Sequence, residues 1–236
     1  MKGVILAGGF GLRLSPLTRI INKHLLPVYD RPMISYVVDT LKKSGLKEIL
    51  LVTEKSSAAS FKKFLRNGQE FGIRISYKTQ KGAGGIAEAL SLAKNFSDGD
   101  SVAVILGDNI FEENFKKQVQ KFKQGATIFL KKVSGLERFG VPVFKNGKIV
   151  FIEEKPKAPK SPYAVTGFYI FDKDVFNFIK QIKPSERNEL EITDVINQYL
   201  KNDLLNHEII NGYWSDAGTF ESLLETSLWI FKRKKS

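Results

Sequence analysis

The chain opens on an apolar run from Gly3 to Ala7, the pattern of a strand covered on both faces. A glycine-rich stretch follows. Then Met33, Ile34, Val37, Val38 and Leu41 recur with the spacing of one helical face, and Gly45 is placed to end that helix. The alternation continues: Glu48 to Thr53 reads as a strand, Ser60 to Leu65 as a helix, Arg74 to Thr79 as a strand, Ala87 to Ala93 as a helix, Ser101 to Asp108 as a strand, Asn114 to Phe122 as a helix, and Ala126 to Val133 as a strand. Strand and helix in this rhythm predict an α/β fold, a mostly parallel central sheet with helices on both faces, and place ligands at the carboxyl ends of its strands.

The second half departs from the rhythm. VPVF, KIVFIEE and YAVTGFYIF lie close together and predict added antiparallel strands. Two amphipathic helices follow. Ile192, Val195, Ile196, Tyr199 and Leu200 line one, Phe220, Leu223, Leu224, Ser227, Leu228 and Phe231 line the other, and most of these residues are expected in the core. The proline-rich EEKPKAPKSPYAV reads either as a linker between domains or as a stiff loop at a site. No internal repeat or low-complexity tract interrupts the pattern. A chain of 236 residues is long enough to bury its own core, so one domain spanning 1–236 is expected ahead of two small ones.

Composition removes several chemistries. With no cysteine, disulfides, thiolate metal sites and cysteine nucleophiles are excluded. The two histidines, His24 and His207, stand in no metal or nucleophile pattern and are expected to be packed or at the surface. The apolar run near the amino terminus is too short for a signal peptide, and no stretch reaches the length of a membrane helix, so a soluble, cytoplasmic protein with no membrane partner is expected. The formal net charge of +12 admits nucleic acid, an acidic membrane or a phosphorylated small substrate as partner. No basic stretch interleaved with aromatics supports nucleic acid, and a solvated lysine surface accounts for the charge.

Candidate chemistry gathers in three places. Gly8, Gly9 and Gly11 follow the first strand and let backbone amides approach a phosphate, while Arg13 adds a planar donor fork and Lys23 a point charge. The loop is neither a Walker loop nor a dinucleotide fingerprint, since no Gly-Lys-Ser/Thr follows and Leu14 replaces the third glycine. In LGDN, Asp108 ends a buried strand, where it either holds magnesium against a nucleotide or makes a turn that caps the next helix. In WSDAGT, Asp216 precedes a helix that Thr219 could cap.

Together these segments carry a resemblance. GGxGxRL from Gly8, KHLLPV from Lys23, LGDN from Leu106, EEKP from Glu153 and DAGT from Asp216 resemble, in that order, the sugar-1-phosphate nucleotidyltransferases. QKGAGGIAEAL, GDNIF, ERFGV, PKSPYAVTGFYIF and ELEITD narrow the likeness to the thymidylyltransferase branch, over nearly the whole chain. The resemblance implies a Rossmann-like nucleotidyltransferase fold and an enzyme that joins dTTP or UTP to glucose 1-phosphate with release of pyrophosphate. It implies Mg2+ between Asp108 and Asp216, Arg13 and Lys23 on the triphosphate under the Gly8, Gly9 and Gly11 loop, and Lys155 on the sugar phosphate. Asn109, Glu154 and the backbone at Gly140 and Val165 would read the sugar, and Gly85 would let the base approach the backbone. Gln80 is assigned to the base, because its amide can donate to O4 and accept from N3–H of thymine or uracil. The chain ends soon after the DAGT helix, as in a short class, whereas longer members carry a further segment used in subunit contacts and feedback control; a homo-oligomer is left open. The competing expectation is a regulatory protein of the same fold that binds a nucleotide sugar without catalysis.

Overall fold

The computed structural model describes residues 1–82 and 84–235, so Ala83 of QKGAGGIAEAL and Ser236 lie outside it. In chain order the elements are β1 (Lys2–Ala7), β2 (Pro27–Val28), β3 (Arg31–Pro32), α1 (Met33–Lys43), β4 (Glu48–Glu54), α2 (Ala58–Leu65), β5 (Arg74–Gln80), α3 (Ile86–Ser91) and α4 (Lys94–Ser97). There follow β6 (Val102–Leu106), β7 (Asn109–Phe111), α5 (Lys116–Lys121), β8 (Ala126–Lys132), β9 (Gly140–Lys145), β10 (Lys148–Glu154) and β11 (Tyr163–Phe171). The last are α6 (Val175–Ile179), α7 (Ile192–Lys201), β12 (Leu205–Ile209), β13 (Trp214–Asp216) and α8 (Phe220–Lys235).

Seven strands form the central sheet in the order β12-β8-β11-β6-β1-β4-β5. All pairings are parallel except those of β11, which runs antiparallel between β6 and β8. The apolar strands are apolar because both faces are covered. Val4 and Leu6 of β1, with Leu50 and Val52 of β4 and Val102 and Val104 of β6, face a core closed by α3, α6 and α7. Ile5 and Ala7, with Ile49, Leu51, Ala103 and Ile105, face the opposite core under α1 and α2. Alternation along each strand thus feeds two cores, and fully burying each such aliphatic side chain contributes about 1.5–3 kcal/mol.

From β1 the chain steps outward through β4 to β5, then returns to lay β6 on the other side of β1. The point of reversal lies between β1 and β6, which is where an open α/β sheet parts its carboxyl-end loops and makes a crevice. The hairpin of β9 and β10 and the short pair of β7 and β13 stand beside that crevice.

One expectation fails. The stripe assigned to the core of the last helix is largely exposed: Phe220 is 43%, Leu224 61% and Leu228 49% accessible. The helix is turned so that Thr226 and Ile230 are buried instead. Contacts on that face hold the orientation: the Thr226 hydroxyl donates to Ser215 Oγ at 2.8 Å and the Trp229 ring stacks on Tyr213 at 4.1 Å. The parallel edge strand β12, LNHEI, is mostly exposed and carries no apolar run to announce it.

Candidate active site

The loop after β1 begins at the crevice. Gly9 and Gly11 have φ of 93° and 61°, conformations that a side chain rarely adopts, and a Cβ on Gly11 would lie 2.8 Å from Thr18 and 3.1 Å from the Lys23 side chain. Leu14, fully buried, anchors the short turn that carries Arg13. Arg13 leans over the crevice with Nη2 3.6 Å from Asp216 Oδ2.

Lys23 sits in a second short turn, capped by Asn22, whose Oδ1 accepts the His24 backbone N–H at 3.0 Å. Its ammonium donates to Asp108 Oδ2. Asp108 Oδ1 accepts from Asn109 Nδ2 at 2.9 Å. Burial alone would raise the Asp108 carboxyl, but the Lys23 charge and these hydrogen bonds outweigh it and hold the group well below the usual carboxylate range. Asp108 makes no helix cap; it faces the crevice. Next to it, Gly107 leaves room for His24, since a Cβ there would lie 2.6 Å from the imidazole. His24 is packed as expected. Burial first, and then the Lys23 charge, push it down to about 3, so it stands neutral against Asp108.

Asp216 arrives opposite through the pairing of β13 with β7, in which it faces Asn109, and the Ala217 N–H donates to the Asp108 carbonyl at 2.9 Å. The helix start is met by Thr219, whose hydroxyl accepts from the Ser222 N–H at 3.2 Å, so Asp216 is left for the crevice. Burial and the Asp108 charge raise its carboxyl, against the pull of Lys23 and Arg13. Its Oδ1 is buried with no hydrogen-bond partner. An orphaned buried oxygen on a carboxylate that shares a cleft with a second carboxylate and feels its charge is a donor set that suits a hard divalent cation. Among the described residues no group of three or more acidic or histidine side chains gathers to hold a metal, so such a cation would take its other ligands from phosphate and water.

The far wall is the β9–β10 hairpin. Glu154 pairs with Gly140 at its open end. Thr193 donates to Glu154 Oε2, and Arg187 and Lys155 lie 3.3 and 3.4 Å from Oε1. Lys155 has a φ of 46° and donates its N–H to the Phe139 carbonyl at 2.9 Å. Thus the proline-rich segment begins as a loop that turns a lysine into the site. Asn109 braces more than it reaches: Oδ1 accepts from Trp214 Nε1 at 2.7 Å and from the Gly167 N–H at 2.9 Å. Gln80, buried at the end of β5, donates through Nε2 to Glu88 Oε2 at 2.7 Å. Gly85 is required by packing, because a Cβ would meet the Leu190 backbone at 2.5 Å.

One cleft of about 310 Å³ gathers Gly8, Gly9, Arg13, Lys23, Gln80, Gly85, Asp108, Asn109, Gly140, Glu154, Lys155, Val165 and Asp216. Of the residues named from sequence, Gly11 is not part of this lining; it shapes the loop against Thr18 and Lys23. Arg138, Phe139, Tyr169, Thr193 and Trp214 also line the cleft. Arg138 lies within ERFGV, Thr193 within ELEITD and Trp214 within WSDAGT, so the segments were visible while these side chains' places in them were not.

A parallel sheet with a switch-point crevice holding glycine loop, paired carboxylates and cations defines a nucleotide-handling α/β enzyme, and residues 2–232 match the model of the nucleotidyl transferase family. The chain belongs to that family and is a nucleotidyltransferase. It is 46% identical over 98% of its length to the glucose-1-phosphate thymidylyltransferase of Neisseria meningitidis, of which it covers 82%. A Bacillus anthracis structure assigned as a glucose-1-phosphate thymidylyltransferase, in complex with sucrose, is 49% identical and superposes with a TM-score of 0.93 over 97% of this chain and 94% of that one. A UDP-glucose pyrophosphorylase solved with UDP-glucose is 25% identical, with a TM-score of 0.88 over 98% of each chain. No helix among the described residues is long and apolar enough to cross a membrane.

Proposed function

We propose that this enzyme transfers the nucleotidyl group of dTTP or UTP to α-D-glucose 1-phosphate, with release of pyrophosphate and with Mg2+ held by Asp108 and Asp216. The relatives' names support the sugar phosphate and the thymidylyl group. The observation that carries the reading is the pair of carboxylates, Asp108 against Lys23 and Asp216 beside Arg13, facing one cleft at the switch point.

The sugar phosphate is an anionic nucleophile at neutral pH, so no Ser, Cys or His has to activate it. Its oxygen attacks the α-phosphorus while the bond from that phosphorus to the α,β-bridging oxygen breaks, and the electron pair leaves with pyrophosphate. What the protein supplies is alignment and charge. Arg13 and Lys23 engage the triphosphate, exchanging their carboxylate partners for phosphate oxygens. Lys155 holds the sugar phosphate, Glu154 and the Gly140 and Val165 backbone take sugar hydroxyls with the remaining Asn109 N–H, and Gln80 faces the base. Magnesium, when bound, would draw charge from the α-phosphate and relieve its repulsion with the incoming phosphate.

The test is pyrophosphate release from glucose 1-phosphate and magnesium with dTTP, UTP, CTP, ATP and GTP in parallel. Turnover with dTTP or UTP that drops at least ~10²-fold in Asp108→Asn is the expected result, the scale of losing one electrostatic stabiliser. A variant that keeps wild-type turnover would remove Asp108 from the metal-holding role.

A further inference from the structure

A glutamine side chain cannot by itself tell a keto pyrimidine from an amino pyrimidine. Its amide presents one acceptor and one donor side by side, and a half-turn about the last bond exchanges them. In one orientation it accepts from N3–H of thymine or uracil and donates to O4; in the other it accepts from N4–H of cytosine and donates to N3. Discrimination therefore needs a neighbour that forbids the half-turn.

The structure supplies one. Gln80 Nε2 donates to Glu88 Oε2 at 2.7 Å, and Gln80 is only 6% exposed, so water cannot readily take over that bond. A carboxylate only accepts. The amino side of Gln80 must therefore face Glu88, and Oε1 turns the other way, to within 3.0 Å of where a Cβ on Gly8 would sit, at the nucleotide loop. Room for the carboxylate comes from a glycine: a Cβ on Gly84 would overlap Glu88 Oε2. Glu88 stands on the first turn of α3, which is held against the Gly84–Leu190 contact by the Leu190 N–H donating to the Gly84 carbonyl at 2.8 Å and the Ala87 N–H to the Leu190 carbonyl at 3.1 Å. The position of the carboxylate is thus built into the fold.

We propose that Glu88 is the positioning residue for base selection: it locks the Gln80 amide with its oxygen toward the cleft, so that the site takes nucleotides with an N–H at the pyrimidine 3-position and rejects cytosine. The inference rests on Gln80 reading the base. With the lock in place, cytosine N3 meets Oε1, acceptor against acceptor, and one buried polar group on each side loses its partner, a mismatch that costs roughly tenfold or more in selectivity.

The experiment is the ratio of kcat/KM for dTTP to that for dCTP, with glucose 1-phosphate and magnesium, in wild type, Glu88→Gln, Glu88→Leu and Gln80→Leu, with thermal melting of each to confirm folding. Glu88→Gln keeps shape and reach, but its amide can either donate or accept, so Gln80 is free to turn. The expected result is a dTTP to dCTP ratio lowered about tenfold in both Glu88 variants, as in Gln80→Leu. A ratio within twofold of wild type in folded Glu88→Gln and Glu88→Leu, with the ratio still lost in Gln80→Leu, overturns the role of Glu88 and leaves that of Gln80. A ratio unmoved in Gln80→Leu overturns the base reading itself, and equal losses for both nucleotides in the Glu88 variants reduce Glu88 to a packing role.

Discussion

Lys155 holds a left-handed backbone conformation, φ 46°, at the mouth of the site. For a residue with a side chain this costs about 1–2 kcal/mol, and the conformation persists because the Glu154–Gly140 pairing and the hydrogen bond from the Lys155 N–H to Phe139 fix the chain that leads into it. The strained turn aims the ammonium at the pocket that Glu154 shares. Lys155→Gly would remove strain and function together: glycine relieves the backbone, less about 0.5–1 kcal/mol for the extra freedom of its unfolded chain. Thermal melting of the variant is expected at or slightly above the wild-type midpoint, while kcat/KM for glucose 1-phosphate falls about 10²-fold, the scale of one lost charge contact. A variant that melts clearly lower would show that the conformation is not strained. At this scale Asp108, Asp216 and Lys155 were legible as candidates, because they stand in short motifs whose order along the chain is itself informative, and the fold brings all three to one cleft. The sequence could not expose the orientation of the Gln80 amide, which depends on a contact with Glu88 that exists only once β5 and α3 are folded together.

At the scale of elements, the parallel strands were legible because each is apolar on both faces, and the two opposed cores are that pattern realised. α8 was misread because its apolar stripe is real and yet most of it is not the face that packs. The helix is seated by a smaller cluster of Val28, Met33, Tyr36, Ile110, Ala217 and Ile230, and by Lys234, which bonds Asp30 on the turn between β2 and β3. No period in the sequence announces polar contacts of that kind. Tyr36 joins the two, donating to the Val28 carbonyl at 2.8 Å and lying 3.0 Å from Asp30 Oδ1. Burial, with the Asp30 carboxylate, pushes its phenol up to about 12 against the pull of Arg31. An unfolded tyrosine titrates near pH ~10, so between that value and 12 the folded chain keeps a proton that the unfolded chain has lost, and stability falls as pH rises through this window. Below it the contribution of Tyr36 is complete. Tyr36→Phe abolishes this part of the dependence: the stability gap between wild type and variant, from urea midpoints, is expected to narrow by about 1–2 kcal/mol from pH 9 to pH 12. A gap that stays constant would mean the phenol is not held protonated by its surroundings.

For the whole molecule the question is where a net charge of +12 acts. It does not reside in the cleft, whose lining carries four cationic side chains, Arg13, Lys23, Arg138 and Lys155, against four acidic ones, Asp108, Glu154, Glu189 and Asp216. That balance suits the function proposed above, in which the site's ion pairs open to receive a nucleotide and a sugar phosphate. The excess therefore sits on the outer surface, where it is broken up by pairs such as Arg66 with Glu70, Arg74 with Glu48 and Arg233 with Glu112, and Lys131 is committed to the carbonyls of Asn211 and Gly212 at 2.7 Å. The summed field of such a surface attracts a small polyanion from any side. Such a field is screened by salt, its range falling from roughly 30 Å at 10 mM to about 10 Å at 100 mM, whereas interactions inside the cleft are screened far less. The expected outcome is that kcat/KM for the nucleotide falls about two- to fivefold between 10 and 200 mM potassium chloride at constant free magnesium, and that kcat changes less than twofold. Titrating salt in steady-state assays measures both. A kcat/KM that stays flat would mean that the surface lysines take no part in capture, and that the cleft, near neutrality, recruits its substrates by contact alone.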